Sequence, residues 1–150
     1  MDVCEWLNNF AKINELIGGK NAEKMQLKKK QDFFKAMALD ISPKLSDGMP
    51  FNNNGTVSKK VETGVVNMVS LDEEIKDIEA AINQYMRERN EIILAIQKLP
   101  RNEYGVIHRH YIRGMTLEAI AEDMGYSVRQ IYRIKNNGLK ILQDVIVCHI

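Results

Sequence analysis

Apolar residues recur every seven positions from residue 61 onward, in two interleaved series separated by alternating steps of three and four. The first series is Val61, Met68, Ile75, Ile82, Arg89 and Ile96, and the second is Gly64, Leu71, Ile78, Tyr85, Ile92 and Leu99. This seam is typical of a helix packed lengthwise on another helix, and it predicts a helix over 61–98. A charge at the Arg89 position can fix helix register, but we favour a long side chain that reaches outward to solvent.

A second apolar stripe lies upstream and offers a partner for the seam. It runs at helical spacing through Trp6, Phe10, Ile13 and Ile17, and then through Leu27, Phe34, Met37 and Ile41. Between these runs stand Gly18 and Gly19, and each glycine costs a helix about 1 kcal/mol relative to alanine. The pattern therefore predicts a break or kink at Gly18-Gly19.

The connection between the two stripes is rich in residues that end helices. The segment SPKLSDGMPFNNNGTVSKK collects prolines, glycines and asparagines, which predicts a polar loop over about 42–60. A loop of this length joins two antiparallel helices, so we expect a long coiled-coil-like helical hairpin over 1–98. The sequence leaves open whether the seam is buried within one chain or between chains.

Capping and turn residues after Leu99 divide the remaining chain, 99–150, into three shorter helices. Pro100 starts the first helix, and Gly114 is placed to stop it in a left-handed conformation. Thr116 and Ser127 have the character of N-caps, and Gly125 supplies the tight turn between the helices that they begin. The expected core residues of the three helices are Val106, Ile107, Tyr111, Ile112, Leu117, Ile120, Ala121, Met124, Val128, Ile131, Ile134, Leu139 and Leu142.

This arrangement predicts an all-α helix-turn-helix domain whose last helix, 127–142, reads the major groove of double-stranded DNA. Arginine bridges guanine, glutamine pairs with adenine, and tyrosine contacts phosphate or a thymine methyl group. The candidates for contact near the start of this helix are Arg129, Gln130, Tyr132 and Arg133. The candidates for phosphate contact further along are Lys135, Asn136 and Lys140. The alternative is an ordinary solvated helix face.

Charge is distributed unevenly although the 150-residue chain carries a formal net charge of only +1. Residues 1–60 hold ten basic against seven acidic side chains, residues 61–100 hold four against eight, and residues 101–150 hold seven against five. The basic face made by Lys24, Lys28, Lys29 and Lys30 is therefore expected to pair with the acidic helix rather than with DNA. So small a net charge also predicts weak nonspecific DNA affinity per copy, which dimerisation would raise.

Other kinds of chemistry find little support in the sequence. Cys4 and Cys148 lack metal-ligand spacing, and we interpret His108, His110 and His149 as surface polar residues. We interpret Glu118, Glu122 and Asp123 as a solvated helix face or a surface for polymerase. We expect no metal, no cofactor, no enzymatic activity and no membrane span, and we place the protein in the cytoplasm of a bacterial host cell.

The last third of the chain resembles region four of bacterial sigma factors, the module that reads promoter DNA. The resemblance rests on Leu99-Pro100, Val106-Ile107, YIRGMTLEAIAEDMGYS at 111–127 and IYRIKNNGLKIL at 131–142. It implies a recognition helix whose contacts are Ser127, Arg129, Gln130, Tyr132 and Arg133.

The whole layout, two long helices followed by this module, is similar to phage and prophage transcriptional regulators of the ArpU/RinA type. That resemblance implies activation of late phage genes in a Gram-positive host. We therefore expect a sequence-specific regulator, dimeric or higher, with RNA polymerase as a further candidate partner. Two alternatives remain, which are a phage terminase small subunit and a nonenzymatic protein that binds polymerase or a host regulator.

Overall fold

The computed structural model describes residues 2–41 and 56–147, and the side chains of residues 2–38 and 64–147. The helices in these ranges are α1 (Val3–Ile41), α2 (Thr56–Gln97), α3 (Arg101–Ile107), α4 (Leu117–Met124) and α5 (Val128–Val147). Helix α3 runs on into a π-helical turn, His108–Ile112. The described residues contain no strand, and the predicted all-α class is confirmed.

Some predictions concern residues at the edges of these ranges. Residues 42–55 of the predicted loop, together with Cys148 and His149, lie outside the described residues. The predicted loop was too long, because α2 already begins at Thr56. None of the described helices combines the length and apolar character needed to cross a membrane.

The chain folds into two compact units, the first made of Met1–Ile17 with Gln84–Ile150 and the second of Gly18–Asn83. Each of the long helices contributes to both units, because α1 passes from one to the other at Gly18 and α2 at Gln84. The division into 1–98 and 99–150 stays a prediction, and the compact units are cut at other residues.

The second unit is an antiparallel hairpin of helices. The Nζ of Lys24 lies 2.7 Å from Oε1 of Glu79, and Gln31 donates a hydrogen bond to the carboxylate of Asp72. Later residues of α1 therefore pair with earlier residues of α2. The lysine of the predicted basic face thus meets the acidic helix, and its hydrogen bond and charge lower the pKa of Glu79.

The isoleucines of the α2 seam are buried within the chain, whereas Met68, Leu71 and Tyr85 are half-buried. In the hairpin unit, Ile75, Ile78 and Ile82 are buried and Leu27 and Phe34 are half-buried. The placement of Met37 on the inward side was wrong, since its side chain is exposed. The core of the first unit is formed by Val3, Leu7, Phe10, Ile13, Ile17, Ile92, Ile96, Leu99, Ile107 and Leu142.

Two details of the long helices concern Gly18-Gly19 and Arg89. Helix α1 is continuous through Gly18 and Gly19, and both residues are exposed with no neighbouring atom within 4 Å of a Cβ built on them. Backbone hydrogen bonding and packed turns on each side outweigh the low helix propensity of two glycines. Arg89 is half-buried, and its Nε is buried without a hydrogen-bond partner, whereas an outward reach of its terminal nitrogens stays a prediction.

Candidate nucleic-acid interface

Helix α3 supplies the base on which the helix-turn-helix is built. Pro100 stands at its N-cap with φ of −56° and ψ of 156°, and its carbonyl accepts the first helical hydrogen bond from Tyr104 N–H at 2.8 Å. Val106 and Ile107 are both fully buried. Val106 belongs to the core beneath α4 and α5, whereas Ile107 belongs to the main core of the first unit. These adjacent residues therefore connect the helix-turn-helix core to the core that contains residues of α1 and α2 in the same unit.

The π-helical turn shapes the loop that leads into α4. The backbone N–H of Arg113 donates to the carbonyl of His108 at 3.1 Å, and Gly114 then reverses the chain with φ of +68°. The Nδ1 of His110 lies 2.9 Å from the carbonyl oxygen of Met115. His108 and His110 are half-buried, so each side chain is only partly exposed at the surface. Burial, followed by the charges of Arg113 and Arg109, lowers the pKa of His108.

Helix α4 has the cap and the turn that the sequence predicted. Thr116 Oγ1 accepts a hydrogen bond from the N–H of Ala119 at 3.3 Å. At the other end Gly125 adopts φ of +69°, a conformation in which a side chain would be strained. The predicted inward residues Leu117, Ile120 and Ala121 are buried against Ile131 of α5. The angle between α4 and α5 is thus fixed by a small apolar core and a glycine turn.

An ion pair ties the end of α4 to the π-helical turn. The Nε of Arg109 lies 2.8 Å from Oδ2 of Asp123, and Nη1 of the same arginine donates to the carbonyl of Gly105 at 3.2 Å. Asp123 therefore has a specific partner, whereas Glu118 and Glu122 are exposed on α4 without an ion pair in the described part of the chain.

Ser127 and Gln130 form a reciprocal cap at the start of α5. Gln130 N–H donates to Ser127 Oγ at 3.3 Å, and Ser127 N–H donates to Gln130 Oε1 at 3.0 Å. This is the capping box that a serine followed three residues later by glutamine can form. Both residues were predicted to contact DNA, and the structure also gives them the role of starting the helix.

The inward face of α5 packs at very short range on α3. Ile131, Gly138 and Leu142 are buried, and a Cβ added to Gly138 would lie 3.1 Å from Cγ1 of Ile107. Asn137 Nδ2 donates to Glu103 Oε1 at 2.8 Å across the same interface. The placement of Val128 in the core was wrong, because it stands exposed at the first position of the helix, before the inward face begins.

The outward face of α5 brings most of the predicted contact residues together. Arg129, Arg133, Asn136 and Lys140 are exposed and fall at successive helical turns on one side. Tyr132 stands exposed beside them, and the half-buried Lys135 places its Nζ 5.5 Å from the centre of the Tyr132 ring. Among the residues that the structure describes, neither arginine forms an ion pair. Direct contact with DNA stays a prediction for all eight residues.

The sequence did not predict the contacts that hold α4 and α5 in position. No pattern in a single sequence indicates the π-helical turn or the contacts made by Arg109, His110 and Gly138. A serine and glutamine three residues apart did carry a signal for the capping box. No three histidine, cysteine or carboxylate side chains gather into a potential metal site within the described ranges.

Comparison with known proteins identifies the same region. Residues 95–144 match the family model described as Sigma-70, region 4, which covers one third of the 150-residue chain. The match spans the end of α2, the whole of α3 and α4, and α5 as far as Asp144. No curated protein and no solved structure matches the chain. The C-terminal region is thus a sigma-region-4-like helix-turn-helix.

Proposed function

We propose that this chain is a sequence-specific transcription regulator that inserts the first turns of α5 into the major groove of DNA. The observation that carries the proposal is that Arg129 and Arg133 are exposed, form no ion pair with the described residues and lie one turn apart on the last helix of a sigma-region-4-like module. Unpaired guanidinium groups on a rigid helix retain their donors for guanine O6 and N7.

The other residues of this face have distinct roles in the proposal. Tyr132 packs on a thymine methyl group or donates to a phosphate, while Lys140 and Asn136 reach the sugar-phosphate backbone. Gln130 has its Oε1 engaged by Ser127, so its Nε2 is the group it offers to a base edge. Lys135 contributes positive charge near Tyr132 rather than a separate base contact.

The biological setting follows from the similarity of the whole layout to ArpU/RinA-type regulators. We propose that the protein controls late genes of a phage or prophage, acts as a dimer on paired half-sites and has no enzymatic activity. Dimerisation fits the charge of the chain, since a second copy doubles the phosphate contacts that a single, nearly neutral chain makes.

Contact with RNA polymerase is the second candidate function. It is favoured by the match to a sigma-factor module and by the exposed carboxylates of Glu118 and Glu122 on α4. Such a contact is compatible with DNA reading, because the acidic side chains of α4 and the basic side chains of α5 form different surfaces.

Selection of bound sequences from a random DNA pool, followed by titration of the selected site, tests the proposal. We expect Arg129→Ala and Arg133→Ala each to weaken binding by about 1–3 kcal/mol, which is roughly 5-fold to 150-fold, and to relax the preference at one base pair. Arg87→Ala is the matched control, since Arg87 is also exposed but lies on α2.

Two results would overturn DNA reading by α5. One is a selection that enriches no sequence, and the other is a pair of arginine variants that keep the affinity and preference of the wild type. If the protein nevertheless binds purified RNA polymerase in either case, polymerase contact is the function that remains.

A further inference from the structure

The hairpin unit keeps an apolar groove open after its seam is buried. The groove is lined by Lys29, Lys30, Phe33 and Phe34 of α1, and by residues of α2 that include Leu71 and Glu74. Phe33 is 62% exposed, which is unusual for a phenylalanine beside an apolar neighbour. An exposed aromatic residue in a groove with charged rims is a feature of protein interaction surfaces.

The two walls of this groove carry opposite charge. Lys29 and Lys30 line the α1 wall, and Glu74 lines the α2 wall. Lys24 and Glu79 neutralise each other inside the hairpin. Lys29, Lys30 and Glu74 have no ion-pair partner among the described residues, so their charge is available to a neighbour.

We propose that the groove is the dimer interface and that a second copy of the same hairpin covers it. A closed homodimer needs a surface that complements itself across a two-fold axis. When two helical layers face each other, an axis perpendicular to the helices sets α1 on the partner's α1 and opposes lysine with lysine. An axis parallel to the helices sets α1 on the partner's α2 and opposes lysine with carboxylate. Charge therefore selects the parallel axis.

The register of the hairpin supports the same arrangement. Lys24 lies level with Glu79 and Gln31 with Asp72, so Lys29 lies level with Glu74. A two-fold axis parallel to the helices preserves these levels. It brings Lys29 opposite Glu74 of the partner subunit, and it brings Phe33 opposite Ser70, next to Leu71, in the partner's groove.

Charge reversal in the full-length chain tests this interface. We expect the wild type to have twice the 17.2 kDa chain mass by light scattering. The double variant Lys29→Glu with Lys30→Glu and the single variant Glu74→Lys each oppose like charges and should have the mass of one chain. An equimolar mixture of the two variants pairs acidic hairpins with basic hairpins, so it should regain twice the chain mass.

Two further variants separate interface effects from folding. Lys12→Glu with Lys35→Glu reverses two exposed lysines of α1 outside the groove, and it should keep the wild-type mass. Phe33→Ser removes an exposed side chain at little cost to the monomer, and it should raise the dimer dissociation constant by about 10-fold or more. Circular dichroism checks that each variant keeps its helix content.

The proposal is overturned if the wild type has the mass of one chain at every concentration, or a mass above two chains. It is equally overturned if the folded reversal variants stay dimeric, or if their mixture does not reassociate. None of these measurements contains DNA, so their outcome is independent of whether α5 reads a sequence.

Discussion

Oε1 of Gln130 accepts hydrogen bonds from both the N–H and the Oγ of Ser127, at 3.0 and 3.1 Å. The glutamine therefore helps to start the helix on which the proposed DNA contacts stand. Its part in recognition and its part in stability can be separated by substitution, because glutamate completes the same capping box but carries a negative charge.

We expect Ser127→Ala to lower the free energy of unfolding by about 1 kcal/mol, because the first turn of α5 loses its side-chain acceptor. Urea unfolding followed by circular dichroism measures the loss. Ser127→Thr retains a hydroxyl group and should recover most of the stability. An alanine variant as stable as the wild type would show that the capping box contributes nothing.

Gln130→Glu should keep the stability of the wild type, or raise it slightly, because a carboxylate is favourable at a helix N-terminus. The same change should weaken DNA binding, since the new charge is exposed on the helix that approaches the phosphates. Parallel unfolding and DNA titrations check the two expectations. Unchanged DNA affinity would place this residue away from the bound DNA.

Gly138→Val should destabilise the protein by about 1–3 kcal/mol, because its side chain would press on the buried Ile107 and on Glu103 where α3 and α5 touch. Thermal unfolding measures the effect. A valine variant with the wild-type melting temperature would show that this contact can open without loss.

Gly18→Ala and Gly19→Ala are the matched controls for that substitution. Both sites are helical and open, so alanine should stabilise the chain by up to about 1 kcal/mol at each. Destabilisation by alanine at either site would mean that the site requires glycine for a reason other than helix propensity.

Arg89→Met should raise the free energy of unfolding by about 1–3 kcal/mol, because it removes a buried nitrogen that has no hydrogen-bond partner while keeping an apolar stem on the seam. Arg87→Met, at an exposed position two residues away, should change stability little. Denaturant titration compares the two variants. A loss of stability in the Arg89 variant would reveal an unrecognised partner for its guanidinium group.

His108 should make the protein less stable in acid. Burial lowers the pKa of His108 below its ordinary value of 6.5. The unfolded chain therefore takes up a proton before the folded chain does, and stability is lost as the pH falls from 6.5 through the lowered pKa of the folded state. The free energy of unfolding should therefore fall less between about pH 8 and about pH 5 in His108→Gln than in the wild type. Urea unfolding at the two pH values measures this fall, and an equal fall in both proteins would contradict this account.

The parts of the site that the sequence predicted are those with local causes. A cap such as Thr116 acts on an N–H three residues away, and a turn such as Gly125 depends on its own φ angle. The apolar stripe of α4 depends on helical spacing alone. These features were confirmed because each is contained in about one turn of helix.

The parts that the sequence could not predict depend on which helix approaches which. Val128 has the chemistry of a core residue, yet its position on α5 leaves it exposed. His110 and Arg109 become bracing residues only because the π-helical turn carries them to Met115 and Asp123. Sequence spacing does not predict these two contacts, because the path of the loop decides which residues meet.

The sequence by itself determined the all-α class, the helix-turn-helix and the residues available to face DNA, because helical period and capping are short-range properties. The tertiary structure alone decided that the isoleucines of the heptad seam are buried within the chain, that Gly18-Gly19 does not break α1, and that Gln130 is engaged by Ser127. These features depend on which long-range contacts have the lowest free energy. An apolar stripe predicts that a helix face will be buried, but only the tertiary structure shows which element buries it.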